Sequence, residues 1–556
     1  MWPLPRRKAP LRPLGGRGRG PGAPAPGRVR RAPPQTEPSA PLTLPSAPGR
    51  RGERGAKRNR RTQLCIGGAA VLLTACTVGP DYERPAAPVP AVYKEAGWKI
   101  GEPIDAIDRG AWWSVYNDPV LDALAKQIDI SNQNLAAAEA AFRQAEFIVA
   151  QARSQFLPTA TVDANAQRSR SGAGAAVAGT GIRGVISNQF STSTAASWTP
   201  DLWGRVRRNV ESNVASAQAS AGDLASARLA AQGALASDYL QLRIADELKR
   251  LLDATAKAYD ESLRITRNQY NSGIASASDV AQAETQLRST EAQAIAVGVT
   301  RAQLEHAIAV LIGKPPAELS IAPSDVVTEV PAVPAGLPSA LLERRPDIAA
   351  AERQMAAANA QIGVAEAAFY PTITLSADYG VMALQISKLF TDQARFWAFG
   401  SSLAQTVFDA GARSAVVGEA RAAFDQTVAN YRQTVLSAFQ QVEDQLAALR
   451  ILAEQAEAEA AAVKSAREAE RIINNQWLAG TVAYTSVVVA QATALANEEN
   501  ALNIRQNRLV ASAALIQALG GGWDASQLPS RERIEEEAPL NFSPLPPPPP
   551  AEVSAR

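Results

Sequence analysis

One thiol at the end of an apolar segment is the group in this chain best suited to a covalent reaction. The chain has 556 residues and two cysteines, and Cys76 directly follows Leu73, Thr74 and Ala75. Small side chains before a cysteine let a protease reach the backbone. We therefore predict cleavage before Cys76, with Cys65 removed upstream, which leaves the Cys76 thiol in the first residue of the mature chain and open to covalent modification. A chance cysteine after an ordinary signal peptide is the alternative.

The apolar segment itself indicates export. Leu64 to Ala75 is apolar or nearly so and follows Arg60 and Arg61. About a dozen residues suit a signal-peptide core and fall short of the roughly 20 that span a bilayer as a helix. The order from Leu73 to Cys76 resembles the lipobox of bacterial lipoproteins. It predicts a covalent diacylglyceryl group and an N-acyl chain on Cys76, with no other cofactor, and such chains anchor a protein at about 0.8 kcal/mol per buried CH₂.

Charge is divided unevenly along the chain. The formal net charge is +2, but Lys and Arg crowd into residues 1–61, so the remainder is acidic. A basic protein would suit nucleic acid or an anionic surface, whereas here the basic part precedes the signal peptide. Its Arg, Pro and Gly content is typical of disorder. We expect a disordered extension consistent with a misassigned start, and no nucleic-acid partner.

The rest of the chain is a tandem duplication. Asn268 to Gly273 is similar to Asn475 to Gly480, 207 residues later, and Gly313 precedes Gly520 by the same interval. Each half predicts the same order of elements: a helix, two strands around a loop, a long helix, a tight turn and another helix.

Four strands are predicted, two in each half. Polar and apolar residues alternate from Thr159 to Ala166 and from Thr372 to Val381, and return strands are expected at Phe190 to Trp198 and Phe396 to Phe408. This period of two is typical of a strand with one covered face. A helix from Pro119 to Phe156 is predicted before the first pair.

Strands of about ten residues with one apolar face suit a membrane barrel. Four strands cannot close a barrel, and open edges in lipid cost several kcal/mol for each unpaired backbone group. Several chains would therefore share one barrel. A soluble four-stranded sheet is the alternative.

The longest predicted elements are two helices without proline. They run from Arg205 to Asn271 and from Ala412 to Ala479, each roughly 100 Å long at 1.5 Å per residue. Apolar residues recur at spacings of three and four along both, which is typical of coiled coils. A soluble helical bundle would share this periodicity, but the two shorter helices of each half would together flank nearly the whole length of the long one.

The chain resembles the TolC-like outer-membrane efflux proteins, in their OprM- and NodT-type lipoprotein branch. The resemblance rests on Cys76 to Tyr82 with Pro85, on Trp112-Trp113, on Asp118-Pro119 and on the two glycine turns. It implies a mainly α fold with a small β part. Long α-helical hairpins would form a coiled-coil tunnel, and the four membrane strands of each protomer would complete a trimeric, twelve-stranded barrel.

The resemblance also implies location and partners. The protein would be lipid-anchored in the cell outer membrane and extend into the periplasm. It would act as a passive exit duct for drugs or other small toxic compounds. Expected partners are two further copies of the chain, a periplasmic adaptor, an inner-membrane resistance-nodulation-division pump and outer-membrane lipid. Type I secretion, heavy-metal efflux and a coiled-coil lipoprotein scaffold without a channel remain as alternatives.

The two glycine turns would form the periplasmic tip, where the tunnel narrows and the adaptor docks. Docking residues are expected to be Tyr270, Gly273, Ile274, Trp477, Gly480 and Thr481. Gate candidates are Asp279, Arg267 and Ser486, which is the equivalent of Asp279 in the second half. Three copies of Asp279 would form a weak ring that favours cations. Simple capping of the next helix is the alternative for this carboxylate.

The sequence predicts no catalytic site and no metal site. No Cys/His metal spacing, phosphate loop or nucleophile elbow occurs. The one histidine, His306, lies in an Ala/Leu-rich segment and is predicted to be a packing residue.

The predicted organisation has six parts. They are the extension with signal peptide (1–75), a lipidated extended segment (76–118), the first repeat (119–313), a Pro-rich linker (314–340), the second repeat (341–523) and a disordered Pro-rich tail (524–556).

Overall fold

The computed structural model describes residues 77–95, 111–170, 186–324, 330–331, 341–540 and 542–543. The chain divides into two units, Met1–Ala69 and Ala70–Arg556, and every described residue belongs to the second. The predictions for residues 1–75 and for Cys76 lie outside the described residues.

Helices dominate the described part of the chain. The α-helices are α1 Pro119–Ser131, α2 Gln133–Ser154, α3 Arg205–Asn271, α4 Ala277–Leu311, α5 Leu341–Arg344, α6 Pro346–Ala367, α7 Ala412–Leu478, α8 Tyr484–Ala518 and α9 Arg531–Glu537. Short 3-10 helices occupy Trp112–Tyr116, Pro316–Glu318, Ile386–Lys388, Asp392–Ala394 and Ala525–Gln527.

The two long helices begin and end within one residue of the prediction, since α7 ends at Leu478 and not at Ala479. Both α3 and α7 have 67 residues, so each is about 100 Å long. Each follows a glycine with a left-handed backbone, Gly204 with φ 81° and Gly411 with φ 88°. Only glycine adopts this conformation freely, so these residues set the direction in which each helix leaves the sheet.

The helix predicted from Pro119 to Phe156 is wrong in one respect, because it is broken at Asn132. This residue has an extended backbone, and its side chain accepts a hydrogen bond from the Leu135 amide at 2.9 Å. Its Nδ2 also donates to the carbonyl oxygen of Leu311 at 2.7 Å. The break therefore caps α2 and joins it to the end of α4, a partner distant in sequence.

The four strands form one antiparallel sheet in chain order. They are β1 Thr159–Arg170, β2 Ile186–Trp198, β3 Thr372–Ala383 and β4 Arg395–Ala404. The prediction that the last strand reaches Phe408 is wrong. Its partner β3 begins at Thr372, opposite Ala404, and the preceding Pro371 has no amide to extend the ladder. The second strand begins earlier than predicted, at Ile186, which pairs with Arg170.

The core lies where helices of both repeats meet. Trp112 and Tyr239 are buried there against Ile308 of α4 and Leu509 of α8. A second cluster gathers around Tyr431 and includes Tyr93 from the N-terminal segment. Alanine is frequent at the remaining helix contacts, which brings the backbones close and makes a thin wall.

The prediction of a disordered tail after residue 523 is wrong for residues 525–537. Ser530 caps α9 by accepting from the Arg533 amide at 3.3 Å. Ile534 of α9 is fully buried against α2 and α3, and Arg153 donates to the carbonyl oxygen of Glu535 at 3.0 Å. One apolar side chain with a cap and a cross-chain arginine therefore orders this short helix.

Candidate functional sites in the sheet and the helical tip

The sheet has one apolar face and one polar face. The apolar face includes Ala160, Val162, Ala164, Ala166, Phe190, Ala196, Trp198, Ile373, Leu375, Tyr379, Val381, Trp397, Phe399 and Leu403, which the register aligns across all four strands. The opposite face carries mostly Ser, Thr, Asn and Gln, with Asp163 and Asp378, and has Met382 and Phe396 towards the end furthest from the helices. Trp397 and Phe399 are 70% and 76% exposed, which is costly in water. The apolar face therefore requires lipid or protein to cover it.

The sheet also has two open edges among the described strands. β1 and β4 each pair on one side only. Following the register from Thr159 across the sheet leads to Gly400, while β4 continues four residues further, to Ala404. A four-residue stagger over three strand spacings corresponds to a strand tilt of about 40°, which is the tilt typical of closed barrels.

The first tip turn is exposed and built around Gly273. This glycine has φ 76°, and the Ile274 amide donates to the carbonyl oxygen of Gln269 at 2.8 Å, which satisfies the end of α3. Tyr270 is 49% exposed and Ile274 is 78% exposed. Two of the predicted docking side chains are thus accessible at this turn.

The second tip turn repeats this backbone with different side chains. Gly480 has φ 74°, and Thr481 donates to the carbonyl oxygen of Gln476 from its amide and its hydroxyl, both at 2.9 Å. Trp477 is buried, with its ring 5.2 Å from the ring of Tyr484. Trp477 therefore belongs to the packing that holds the tip helices together.

The gate candidates have local partners. Ser276 and Asp279 form a capping box: the Asp279 amide donates to Ser276 Oγ at 3.2 Å, and the Ser276 amide donates to Asp279 Oδ2 at 2.9 Å. Arg267 pairs with Glu284 at 3.2 Å, and both side chains are exposed. Ser486 is exposed and makes no equivalent cap, because the residue before α8 is Ala483. Within one protomer, no described contact joins these three candidates.

The described residues contain no group of three or more His, Cys, Asp or Glu side chains suited to a metal. His306, predicted to be a packing residue, is exposed on α4 in the single protomer. The same helix is long and apolar enough to cross a bilayer. In this fold it packs along α3 instead, leaving Ile295 and Val299 exposed.

A buried ion cluster escaped prediction from the sequence. Arg243 and Asp246 of α3 have side chains only 3% and 2% exposed. Arg301 of α4 donates to Asp246 at 2.7 Å, and Arg243 donates to the carbonyl oxygen of Ala322 at 2.7 Å. The cluster fixes the start of the linker between the repeats. An Arg–Asp pair three residues apart has the same sequence pattern on a buried helix as on an exposed one, so no local signal in the sequence shows that this pair is buried.

A helical body that ends in a tilted sheet at one end and in paired glycine turns at the other is the architecture of TolC-like outer-membrane channels. Residues 124–314 and 337–521 match the sequence profile of the outer membrane efflux proteins. The chain belongs to this family, and it is the channel component of an efflux system.

Individual relatives agree with this assignment. The chain is 30% identical to the probable efflux pump outer membrane protein TtgC of Pseudomonas putida over 486 residues, which cover 86% of this chain and 99% of TtgC. The solved outer-membrane channel OprN superposes with a TM-score of 0.73 and 29% identity, over 81% of this chain and 100% of OprN. The open MtrE outer membrane channel of Neisseria gonorrhoeae gives a TM-score of 0.70 and 29% identity, over 81% and 99% of the two chains.

Proposed function

We propose that three copies of this chain close one barrel and one helical tunnel, which form the exit duct of a tripartite efflux system. The observation that carries the proposal is the sheet, which has an apolar face and, among the strands that the structure describes, two unpaired edges. In lipid each unpaired backbone group costs several kcal/mol. Pairing β1 of one protomer with β4 of the next removes this cost at every edge, and three such sheets supply twelve strands.

The exposed helix faces support the same assembly. Ile295 and Val299 of α4 and Val489 of α8 are each at least 60% exposed in the single protomer. Contact with neighbouring protomers would cover such residues along the tunnel wall. The polar face of the sheet, with Asp163 and Asp378, then lines a water-filled passage.

Lipid attachment at Cys76 fits the position of the residues that follow it. Thr77 packs against Gly204, and the Val78 amide donates to the carbonyl oxygen of Trp203 at 3.2 Å. Arg208 donates to the carbonyl oxygen of Gly79 at 3.1 Å. These contacts hold the chain beside the end of β2, and Cys76 is one residue away, about 3.8 Å along the backbone. Acyl chains on its sulfur would therefore enter the leaflet next to the barrel.

The partners follow from the tip. We propose that the exposed side chains Tyr270 and Ile274 meet a periplasmic adaptor, which connects the duct to an inner-membrane pump of the resistance-nodulation-division class. The energy and the choice of substrate belong to that pump. The relative TtgC of another P. putida strain is named a toluene efflux pump protein, and small apolar toxic compounds are accordingly the substrate class we propose.

Conductance in planar bilayers tests the duct. The mature full-length protein, purified from outer membranes, should insert as a trimer and give stable single-channel currents. Its Cys76→Ser variant should lose acyl mass and still conduct, since the barrel forms from the strands. Protein that stays monomeric and silent in the bilayer would contradict the proposal.

A further inference from the structure

The charged residues of the four strands are sorted by face. The register places Arg168 and Arg170 of β1 and Arg395 of β4 on the apolar face, whereas Asp163 and Asp378 lie on the polar face. No acidic residue of these strands lies on the apolar face. Arginines on a lipid-facing surface are expensive near the bilayer centre and much less so at its interfaces, so their position along the strands decides what they can bind.

All three arginines lie at the end of the sheet furthest from the helices. Arg168 is nine residues above Thr159, where β1 begins, and Arg395 is nine residues above Ala404, where β4 ends. At about 3.3 Å per residue and a tilt of about 40°, this is a height of roughly 23 Å. The apolar band of outer-membrane barrels is about 25 Å tall. The guanidinium groups therefore reach the headgroup level of the outer leaflet.

Closure of the barrel would bring these arginines together. β1 of one protomer pairs with β4 of the next, and Arg168 and Arg395 lie at equal heights above the helix end of their strands. Arg168 and Arg170 would then stand beside Arg395 of the partner subunit, on adjacent strands about 5 Å apart. Three such clusters would surround the trimer.

The local charge balance stays positive. Arg168 and Arg170 are exposed and form no ion pair among the described residues. Arg395 pairs with Asp392 at 3.1 Å, and both side chains are more than half exposed, so this pair is weak. Lys388 is exposed in the same turn region. The three arginines and Lys388, less the charge of Asp392, therefore leave each cluster with a net charge of about +3.

We propose that this arginine cluster binds the phosphate groups of lipid A in the outer leaflet. The inference rests on the proposed trimeric barrel. Arginine suits this ligand because its planar guanidinium donates two parallel hydrogen bonds to one phosphate. The apolar side chains below, Tyr379, Trp397 and Phe399, offer a surface for the acyl chains of the same molecule. One lipid with two phosphates and several chains matches both parts of the surface, and it would fasten neighbouring protomers at their strand edge.

Native mass spectrometry of the delipidated full-length trimer, titrated with bisphosphorylated lipid A, tests the site. We expect up to three lipids per trimer. Arg168→Gln/Arg170→Gln/Arg395→Gln should bind about a hundredfold more weakly, or about fivefold for each arginine removed. The control, Arg264→Gln/Arg288→Gln/Arg471→Gln, removes three equally exposed arginines of the helices and should bind like the parent. Single Arg→Gln variants serve if the triple variant does not assemble.

The outcomes separate the two proposals. Unchanged lipid A binding by the triple variant overturns the site, as does displacement of lipid A by equimolar inorganic phosphate, which would indicate a site for free phosphate. Weaker binding of phosphatidylglycerol, which has one phosphate, supports it. A trimer of the parent protein that carries no lipid A refutes this inference alone, whereas a parent protein that is monomeric in the same spectrum refutes the proposed duct.

Discussion

A side-chain carbon built on Gly313 would overlap the carbonyl oxygen of Ser131, so the turn after α4 lies directly on the end of α1. Gly520 stands in the same relation to Arg344, at the end of α5. Both glycines have positive φ, 68° and 97°. The interval of 207 residues between them thus marks one joint that is built twice. In each repeat the end of the second hairpin helix, α4 or α8, contacts the break between two shorter helices.

Alanine at these joints should destabilise the fold. Gly313→Ala or Gly520→Ala combines backbone strain with overlap against a carbonyl oxygen, for an expected loss of about 2–4 kcal/mol. Thermal unfolding of the purified protein measures it. Gly273→Ala, at the open tip where nothing lies within 4 Å, should cost only about 1 kcal/mol. The helix residue Gly298 also has open space, so Gly298→Ala should leave the melting temperature unchanged or higher. Equal melting temperatures for Gly313→Ala and Gly298→Ala would contradict the joint.

The two tip turns should respond differently to substitution. Ile274 is 78% exposed, so Ile274→Asp should leave the stability unchanged and weaken crosslinking to the adaptor. Trp477 is buried against Tyr484, so Trp477→Ala should cost about 3–5 kcal/mol. Thermal unfolding and adaptor crosslinking on both variants separate docking from packing. If the Ile274→Asp variant crosslinks to the adaptor as strongly as the parent does, Ile274 does not belong to the docking surface.

Asp279 has a capping role that can be separated from a role in the gate. Asp279→Asn keeps an oxygen for the Ser276 amide and removes the charge, whereas Asp279→Ala also loses the cap, at about 1 kcal/mol. If three copies form a ring, both variants should lower the preference for cations in bilayer recordings. Only the alanine variant should speed hydrogen exchange at the start of α4. Ser486→Ala is the control in the second repeat, and unchanged ion preference in both Asp279 variants would reject the ring.

The C-terminal helix should dock more tightly in acid. Burial and the neighbouring carboxyl of Glu537 raise the pKa of Glu146 to about 7, against the opposing effect of Arg533 and Arg143. Two carboxylates cannot hydrogen-bond, but a proton shared between Glu146 and Glu537 lets them do so. The raised pKa means that the stabilisation is complete below the ordinary pKa of about 4.5 and is lost as pH rises through about 7.

Hydrogen exchange of residues 531–537, corrected for intrinsic rates, measures this docking between pH 5 and pH 8. Protection should fall with rising pH in the parent. It should become nearly independent of pH in Glu146→Gln, while Glu139→Gln, an exposed carboxylate on the same helix, should behave like the parent. Equal protection of α9 at both pH values in the parent would be incompatible with the shared proton.

Periodic patterns predicted the elements that local chemistry determines. The extents of α3 and α7 follow from long segments without proline between turn glycines, and most of β1 and β3 follows from the alternation of polar and apolar residues. Tertiary contacts decided the rest. The break at Asn132 depends on the Leu311 carbonyl, and α9 depends on burial of the single side chain Ile534. Both contacts join residues that are far apart in the sequence.

The candidate sites were only partly predictable for the same reason. Glycine turns are visible in sequence because only glycine tolerates their backbone, so Gly273 and Gly480 were found. Burial is set by the neighbouring helix, so the sequence did not distinguish exposed Tyr270 from buried Trp477. The sorting of arginines and aspartates between the two faces emerges only with the strand register.

Disulfide crosslinking at the open strand edges tests the shared barrel most directly. Cysteines at Leu403 of β4 and at Ala160 or Val162 of β1 would face each other across neighbouring protomers, on the lipid side of the barrel. Oxidation in native outer membranes should yield covalent dimers and trimers and nothing larger. The pair Ala166→Cys/Leu403→Cys, about 15 Å apart along the strands, should stay monomeric. Monomers alone from the edge pairs, or a ladder that continues beyond three chains, would contradict a barrel closed by three copies.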